Sequence, residues 1–222
     1  MSPRVSAIIP AYNEAERLGA TLAALRAIDC LHEVIVVDDG STDRTAEIAR
    51  LHGATKVIRL SRNRGKGAAL NEGLAHATGE ILLFLDADLQ ESAAEADRLL
   101  RPLLDGVADM TIALLPPPAK KGGLGFVVRA AREGIARATG RRFAQPLSGQ
   151  RALTRALIAR IGRLEERFGV ETALTIDALR AGARVIEVPT NFRHRETGRD
   201  VGSLLHRLRQ WWDVKRALRK RL

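Results

Sequence analysis

Residues 80–91 read Glu-Ile-Leu-Leu-Phe-Leu-Asp-Ala-Asp-Leu-Gln-Glu, a run of apolar side chains that ends in two carboxylates, Asp86 and Asp88. A strand this apolar belongs in the interior of a parallel sheet, where helices cover both faces. Open α/β sheets place their ligands at the carboxyl ends of such strands. Two acids at that point are costly unless something neutralises them, and a divalent cation bound by hard oxygen ligands is one solution. The alternative is that the pair caps the helix that follows.

The first 115 residues repeat this design. Short β-branched runs predict strands near 4–10, 33–38, 56–60, 80–86 and 108–114, with helices between them near 14–27, 42–52, 66–77 and 92–104. Ser41 and Thr42 mark a helix start, with Asp43 and Glu47 as capping groups, while Gly53 and Gly79 mark helix stops. The rhythm is that of βα units around a mostly parallel sheet. After Pro116-Pro117-Pro118 and Lys120-Lys121-Gly122-Gly123, which read as a linker, the pattern predicts a helix at 124–138 and a polar loop at 140–151. Helices near 153–161 and 170–181, a strand at 183–188 and a final helix from about 202 complete the chain. The second half reads as a cover over the sheet.

Composition excludes several classes. With 222 residues the chain can bury a substantial core, and 28% charged with 45% hydrophobic residues is a globular balance. Cys30 is the one cysteine, so a disulfide within the chain is excluded and a reducing, cytoplasmic setting is expected. The N-terminal apolar run is too short to read as a secretory leader, and no segment approaches the ~20 apolar residues of a membrane span. The net charge of +10 is concentrated at one end, where residues 193–222 carry ten basic side chains against three acids. Such a segment suits an anionic partner: a phosphorylated acceptor, a membrane surface, or nucleic acid. Leu204, Leu208, Trp211, Leu218 and Leu222 recur there at helical spacing, a stripe that can dock on the chain itself, on a second copy, or on a bilayer.

Polar clusters follow the first, second and fourth expected strands: Pro10-Ala11-Tyr12-Asn13-Glu14, Asp38-Asp39-Gly40-Ser41 and Asp86-Ala87-Asp88. Asn63-Arg64-Gly65-Lys66-Gly67 lies beside them, where glycine admits close backbone approach and Arg64 or Lys66 can meet phosphate oxygens. There is no Walker A loop, and no Gly-x-Gly-x-x-Gly opens the first βα turn. Acids for a ribose and base, with cations and a metal for a diphosphate, together fit a nucleotide-diphosphate ligand.

Pro-Ala-Tyr-Asn-Glu, Val-Val-Asp-Asp-Gly-Ser-Thr-Asp, Gly-Lys-Gly-Ala-Ala-Leu-Asn-Glu-Gly and Asp-Ala-Asp, in this order and spacing, resemble the nucleotide-sugar glycosyltransferases of the family-two type. The resemblance implies an α/β GT-A fold: a Rossmann-like nucleotide-binding half (1–115), an acceptor-side half of the same domain (116–200) and a basic amphipathic helix (201–222). It further implies that Pro10, Ala11, Tyr12, Glu14, Asp38, Asp39, Arg64, Lys66, Asp86 and Ala87 line the donor site, with Asp86 turned to the ribose. Asp88 and His194 are the implied ligands of Mg²⁺ or Mn²⁺. Gln145–Gln150, Phe168-Gly169-Val170-Glu171 and His194-Arg195 resemble the acceptor region of glucosyl-3-phosphoglycerate synthases, which makes Glu171, Gln150 and Asp88 the catalytic candidates, with Asp177 behind Glu171.

The expected activity is metal-dependent transfer of a hexose from a UDP- or GDP-linked donor to a small phosphorylated or carboxylated acceptor. Glu187-Val188-Pro189 and Arg193 also resemble polyprenyl-phosphate glycosyltransferases, which would act peripherally at the inner membrane face. A non-enzymatic alternative keeps the nucleotide-sugar site and uses the tail for membrane or nucleic acid, although nucleic acid is not the expected partner. Contact of 202–222 with a second copy or with a membrane stays open. No Gln-x-x-Arg-Trp element occurs, so a processive polysaccharide synthase is not expected.

Overall fold

A computed structural model describes residues 3–116, 125–193 and 211–222, the side chain of Arg167 excepted. Seven strands form one sheet in the order β3-β2-β1-β4-β6-β5-β7. They are β1 (Val5–Ala11), β2 (Leu31–Asp38), β3 (Lys56–Arg59), β4 (Ile81–Phe84), β5 (Met110–Leu114), β6 (Arg151–Thr154) and β7 (Val185–Pro189). All neighbours are parallel except β6, which runs antiparallel to both β4 and β5. The expected mostly parallel sheet is present, as are the five strands read in the first 115 residues.

Continuous apolar runs make the central strands, and both of their faces are buried. On one side Ile8, Ile35, Val37, Leu82 and Phe84 meet α3 (Lys66–His76), α5 (Gly125–Thr139) and α7 (Val170–Arg180). On the other side Ala7, Ile9, Val36 and Leu83 meet α1 (Ala15–Leu25) and α4 (Ala96–Leu104). Spacing explains the helices: Leu18, Leu22 and Leu25 in α1, and Ala96, Leu99, Leu100 and Leu103 in α4, form one buried face each. Gly73 lets α3 lie flat, because a Cβ there would come within 2.3 Å of Ile8. The remaining helices are α2 (Thr45–Leu51) and α6 (Arg155–Ile161).

The second half departs from a simple cover. It adds β6 and β7 to the sheet, and β6 inserts between β4 and β5, although 140–151 reads as loop and 153–161 as helix. Arg-Ala-Leu-Thr is short, begins with a charge and lacks alternation, so its strand conformation comes from the two edges it joins. Register explains its consequence. Phe84 pairs with Arg151, so the chain just before β6 passes beside the chain just after β4. Gly149 and Gln150 thereby arrive at Asp86.

The final helix, expected from about 202, is seen over 211–219; its earlier part, with Leu204 and Leu208, lies outside the described residues, as does His194. Val214, Ala217 and Leu218 are buried against the body of the chain. Among the described residues no helix is long and apolar enough to cross a membrane.

Candidate active site

The polar clusters gather at the carboxyl ends of β1, β2 and β4. Between β1 and β2 the chain laces itself together: the Asp39 amide donates to the Ala11 carbonyl at 2.8 Å, and the Asn13 amide to Ser41 Oγ at 2.9 Å. The Thr42 amide donates to Asn13 Oδ1 at 2.9 Å, and the Glu14 amide to Thr45 Oγ1 at 2.9 Å. Asn13 has φ +55°, a region that Asn tolerates better than most residues. Asp43 accepts from the Ala15 amide at 3.1 Å and the Thr45 amide at 2.9 Å, so it caps the entry to two helices. Glu47, the other expected capping group, instead pairs with Arg44 at the exposed surface.

Asp38 and Asp39 are both buried. Asp38 accepts from the Ser41 amide at 2.8 Å and lies 3.3 Å from Arg59 Nε. Asp39 reaches across to the Arg64 and Gly65 amides at 2.7 and 2.8 Å, holding the loop before α3. Burial raises the Asp39 pKa above the ordinary aspartate range, and the adjacent Asp38 charge adds to this, against the two amides and Arg64. Gly40, at φ +75°, sits where a Cβ would strike the Arg62 and Asn63 backbone at 2.5–2.7 Å. A recess of about 400 Å³ opens here between Gly40, Ser41, Arg59, Leu60 and Ser61. Pro10 and Glu14 are half-buried and Ala11 is buried, while Tyr12 is 46% exposed and Arg64 is exposed.

Lys66, at the first turn of α3, binds Asp86 Oδ1 at 2.6 Å and Glu171 Oε1 at 3.0 Å. The other Asp86 oxygen accepts from Gln150 Nε2 at 2.6 Å, and Gln150 Oε1 accepts from Ser148 Oγ at 3.2 Å. Four of the expected residues thus meet from sequence positions 66, 86, 150 and 171. Burial opposes the charge on Lys66, but Asp86 and Glu171 outweigh it and raise its pKa. Both Asp86 oxygens are engaged, one by Lys66 and the other by Gln150. Asp177 stands apart from this group, six residues along α7, in a two-bond contact with Arg221 at 2.6 and 2.7 Å.

Three further residues support the cluster and the turn beside it. Gly149 leaves the room that Lys66 occupies: a Cβ there would lie 2.2 Å from Lys66 Nζ and 3.0 Å from both Asp86 oxygens. Arg151 is 1% exposed and donates to the Ser148 and Pro146 carbonyls at 2.8 and 2.9 Å and to Thr175 Oγ1 at 2.8 Å. Burial pulls its pKa down to about 10, against the Glu171 and Glu187 carboxylates, so it stays charged at neutral pH. Thr21 is fully buried in α1; it donates to the Ala87 carbonyl and accepts from the Gln90 amide, both at 2.8 Å, pinning the Asp-Ala-Asp turn. The one sequence signal for Thr21 is a hydroxyl on the apolar face of α1.

Asp88 is half-buried and lines a cleft of about 550 Å³ with Arg17, Gln90, Glu95, Asn191 and Arg193. Among the described residues no three acid, histidine or cysteine side chains form a ready-made metal cage. The donor set still fits a magnesium-like ion, which takes one or two carboxylates and completes its shell with water and substrate phosphates.

Residues 6–151 match the family model described as Glycosyl transferase family 2. The chain belongs to this family. It is 32% identical over 202 residues to "Glycosyltransferase AglJ" of Haloferax volcanii, covering 89% of this chain and 65% of that protein. It is 31% identical over 219 residues to "Undecaprenyl-phosphate 4-deoxy-4-formamido-L-arabinose transferase" of Edwardsiella ictaluri, covering 95% and 66%. The chain thus spans slightly under two thirds of these curated relatives.

Among solved structures, glucosyl-3-phosphoglycerate synthase from Mycobacterium tuberculosis, in complex with Mn²⁺, UDP-glucose and phosphoglyceric acid, matches with TM-score 0.81 and 28% identity. The match covers 99% of this chain and 79% of that one. The same synthase with Mg²⁺ and UDP gives TM-score 0.83 at 26% identity, covering 99% and 79%. Mannosyl-3-phosphoglycerate synthase from Rubrobacter xylanophilus gives 0.81 at 25%, covering 99% and 74%. The GT-A fold read from the motifs is the fold of these solved glycosyltransferases.

Proposed function

We propose that the chain transfers a hexose from a nucleoside-diphospho-sugar to a small phosphorylated or carboxylated acceptor, using Mg²⁺ or Mn²⁺. The observation that carries this reading is Lys66 held between Asp86 and Glu171 beside Asp88, at the carboxyl end of β4. Solved relatives with UDP-glucose, phosphoglyceric acid and divalent metal match 99% of this chain, which supports the same substrate classes. Residues 1–115 take the donor in this reading and 116–200 the acceptor. The single cysteine suits a cytoplasmic setting.

In the proposed mechanism Tyr12 and the Gly40–Ser41 turn border the base and ribose, and Arg64 and Lys66 face the diphosphate. Breaking the anomeric bond leaves negative charge on the leaving phosphate, and preorganised cations stabilise it. Asp88 would hold the metal, with His194 as the expected second ligand; the bound ion supplies Lewis-acid stabilisation of that charge. Gln150 keeps Asp86 oriented, and Glu171, anchored by Lys66, positions the acceptor hydroxyl or takes its proton.

A second reading, transfer to a polyprenyl phosphate, is favoured by the name of the undecaprenyl-phosphate relative. Against it, Val214, Ala217 and Leu218 of the final helix are buried on the chain itself, which leaves Trp212 as its exposed apolar side chain over 211–219. Release of nucleoside diphosphate from UDP- and GDP-sugars, with and without Mn²⁺, separates the readings when phosphoglyceric acid, simple sugars and detergent-dispersed polyprenyl phosphates are compared as acceptors. We expect metal-dependent release with the phosphorylated acid and a loss of about a hundredfold or more in Asp88→Ala. Release with polyprenyl phosphate alone would transfer the assignment to the second reading; no release or binding with any donor would end both.

A further inference from the structure

Segment 164–169 adjoins both helices that supply the Lys66–Glu171 pair. It leads directly into α7, whose second residue is Glu171, and it packs on α3, whose first residue is Lys66. The fit to α3 is close. Asn71 forms a reciprocal pair with Leu164, both hydrogen bonds 2.9 Å long. Gly67 meets the backbone so nearly that a Cβ there would stand 2.1 Å from the Glu165 carbonyl oxygen.

The other side of the segment rests on residues 211–222. A Cβ at Gly169 would lie 2.8 Å from both the Ala217 Cβ and the Asp213 carbonyl oxygen. Leu218 covers Gly134 of α5 in the same manner. At the end of this helix, Lys220 Nζ binds both Glu165 oxygens at 2.8 and 3.0 Å. Arg221 forks onto Asp177 and also reaches Glu165 at 3.3 Å, and its own carbonyl accepts from Arg180. One guanidinium therefore ties the segment before α7 to the middle of α7. It is 13% exposed, and Glu165 is 14% exposed, so solvent screens neither contact strongly.

We infer that residues 213–221 act as a strut for the active site and that Arg221 is a positioning residue, fixing the first turn of α7 so that Glu171 meets Lys66. Arg221 touches neither the cleft nor the charged cluster. It acts through Glu165 and Asp177, whose separation sets the height of α7 against α3. A planar fork does this better than an ammonium, which offers a point charge. Glu165 shows the strength of the link: burial alone would raise its pKa, yet Lys220 and Arg221 bring it below the ordinary glutamate range.

The catalytic part of this inference rests on the glycosyltransferase reading, and the positional part does not. The test uses the full chain as wild type, Arg221→Ala and Arg221→Lys. Amide hydrogen exchange over 164–174 reports the position of α7 without any substrate, while nucleoside diphosphate release reports turnover. In Arg221→Ala we expect faster exchange confined to 164–174 and α7, and kcat lowered by about ten- to a hundredfold, the effect of a small misplacement of a reacting group. Donor KM should stay within about twofold, because the β1–β2 turns are untouched, and Arg221→Lys should recover part of kcat. Unchanged exchange and kcat in a folded Arg221→Ala protein would overturn the strut. So would faster exchange throughout the sheet, which marks a merely structural loss. If Arg221→Ala does not fold, the same two readouts on Arg221→Lys decide. If wild type turns over no donor, the glycosyltransferase reading has failed and the exchange data alone decide the strut.

Discussion

The turns after β1 and β2 and the cluster around Lys66 both rest on acidic residues, yet they use them differently. In the turns, Asp38, Asp39 and Asp43 accept from five backbone amides, with Arg59 and the Thr45 hydroxyl as further partners, and so define the shape of the loops. Around Lys66, Asp86 and Glu171 face a cation and an amide side chain instead. The turns join segments close in the βα order. The cluster joins positions 66, 86, 150 and 171, and depends on β6 running backwards beside β4. A carboxylate bound to backbone amides fixes the shape of a loop, whereas one held against a lysine fixes two side chains from distant elements.

Removing a cation from the second region should have the larger effect. Lys66→Met leaves Asp86 and Glu171 facing each other without compensation, at a cost of about 3 kcal/mol, the low end for breaking a buried pair. A urea melt should show a lower midpoint at unchanged m. Transfer activity should fall at least a hundredfold; retention of both stability and activity would dissolve the distinction between the regions.

Asp39→Ala tests the turns. The Arg64 and Gly65 amides lose their charged acceptor, a loss of about 2 kcal/mol. Because the change misplaces the loop before α3 rather than the reacting groups, donor KM should rise about tenfold with kcat changed less. A drop in kcat alone would place Asp39 with the cluster instead.

A smaller and pH-dependent effect belongs to Glu33 in β2, far from both regions. Burial alone would raise its pKa; hydrogen bonds from Ser6 and Thr78 overcome this and lower it. The folded pKa lies below the unfolded one, so the unfolded chain binds the proton first as pH falls. Glu33 therefore contributes fully above about pH 4.3, the unfolded value, and its contribution disappears as pH drops through the folded value. Glu33→Gln should cost about 1 kcal/mol at pH 7 and flatten the acid limb of stability measured by urea melts from pH 3 to 7. A variant with the wild-type acid limb would remove Glu33 from this account.

Much of this is legible in the sequence. The apolar runs located β1 to β5, and the clusters after them named Asp38, Asp39, Lys66 and Asp86, because a buried parallel strand has a strong apolar signature and its end must be polar to meet a ligand. Gln150 and Glu171 were readable only through resemblance to relatives. The role of Gly149 was not readable, since a glycine before a short strand has no local signal for the lysine it accommodates. Nor was the pairing of Asp177 with Arg221, which lies 44 positions away in a segment that also reads as a basic tail.

By itself the sequence determined the parallel sheet, the sheet edge at which the polar clusters gather, and the family. Those properties follow from hydrophobic periodicity and from short motifs, both local in the chain. Tertiary structure decided the rest: the reversed strand β6, the meeting of Lys66 with Asp86, Gln150 and Glu171, and the docking of 211–222 behind α7. Each depends on which distant surfaces are complementary once the core has formed. Such complementarity comes from packing and from burying charges only where partners exist, which no local pattern records.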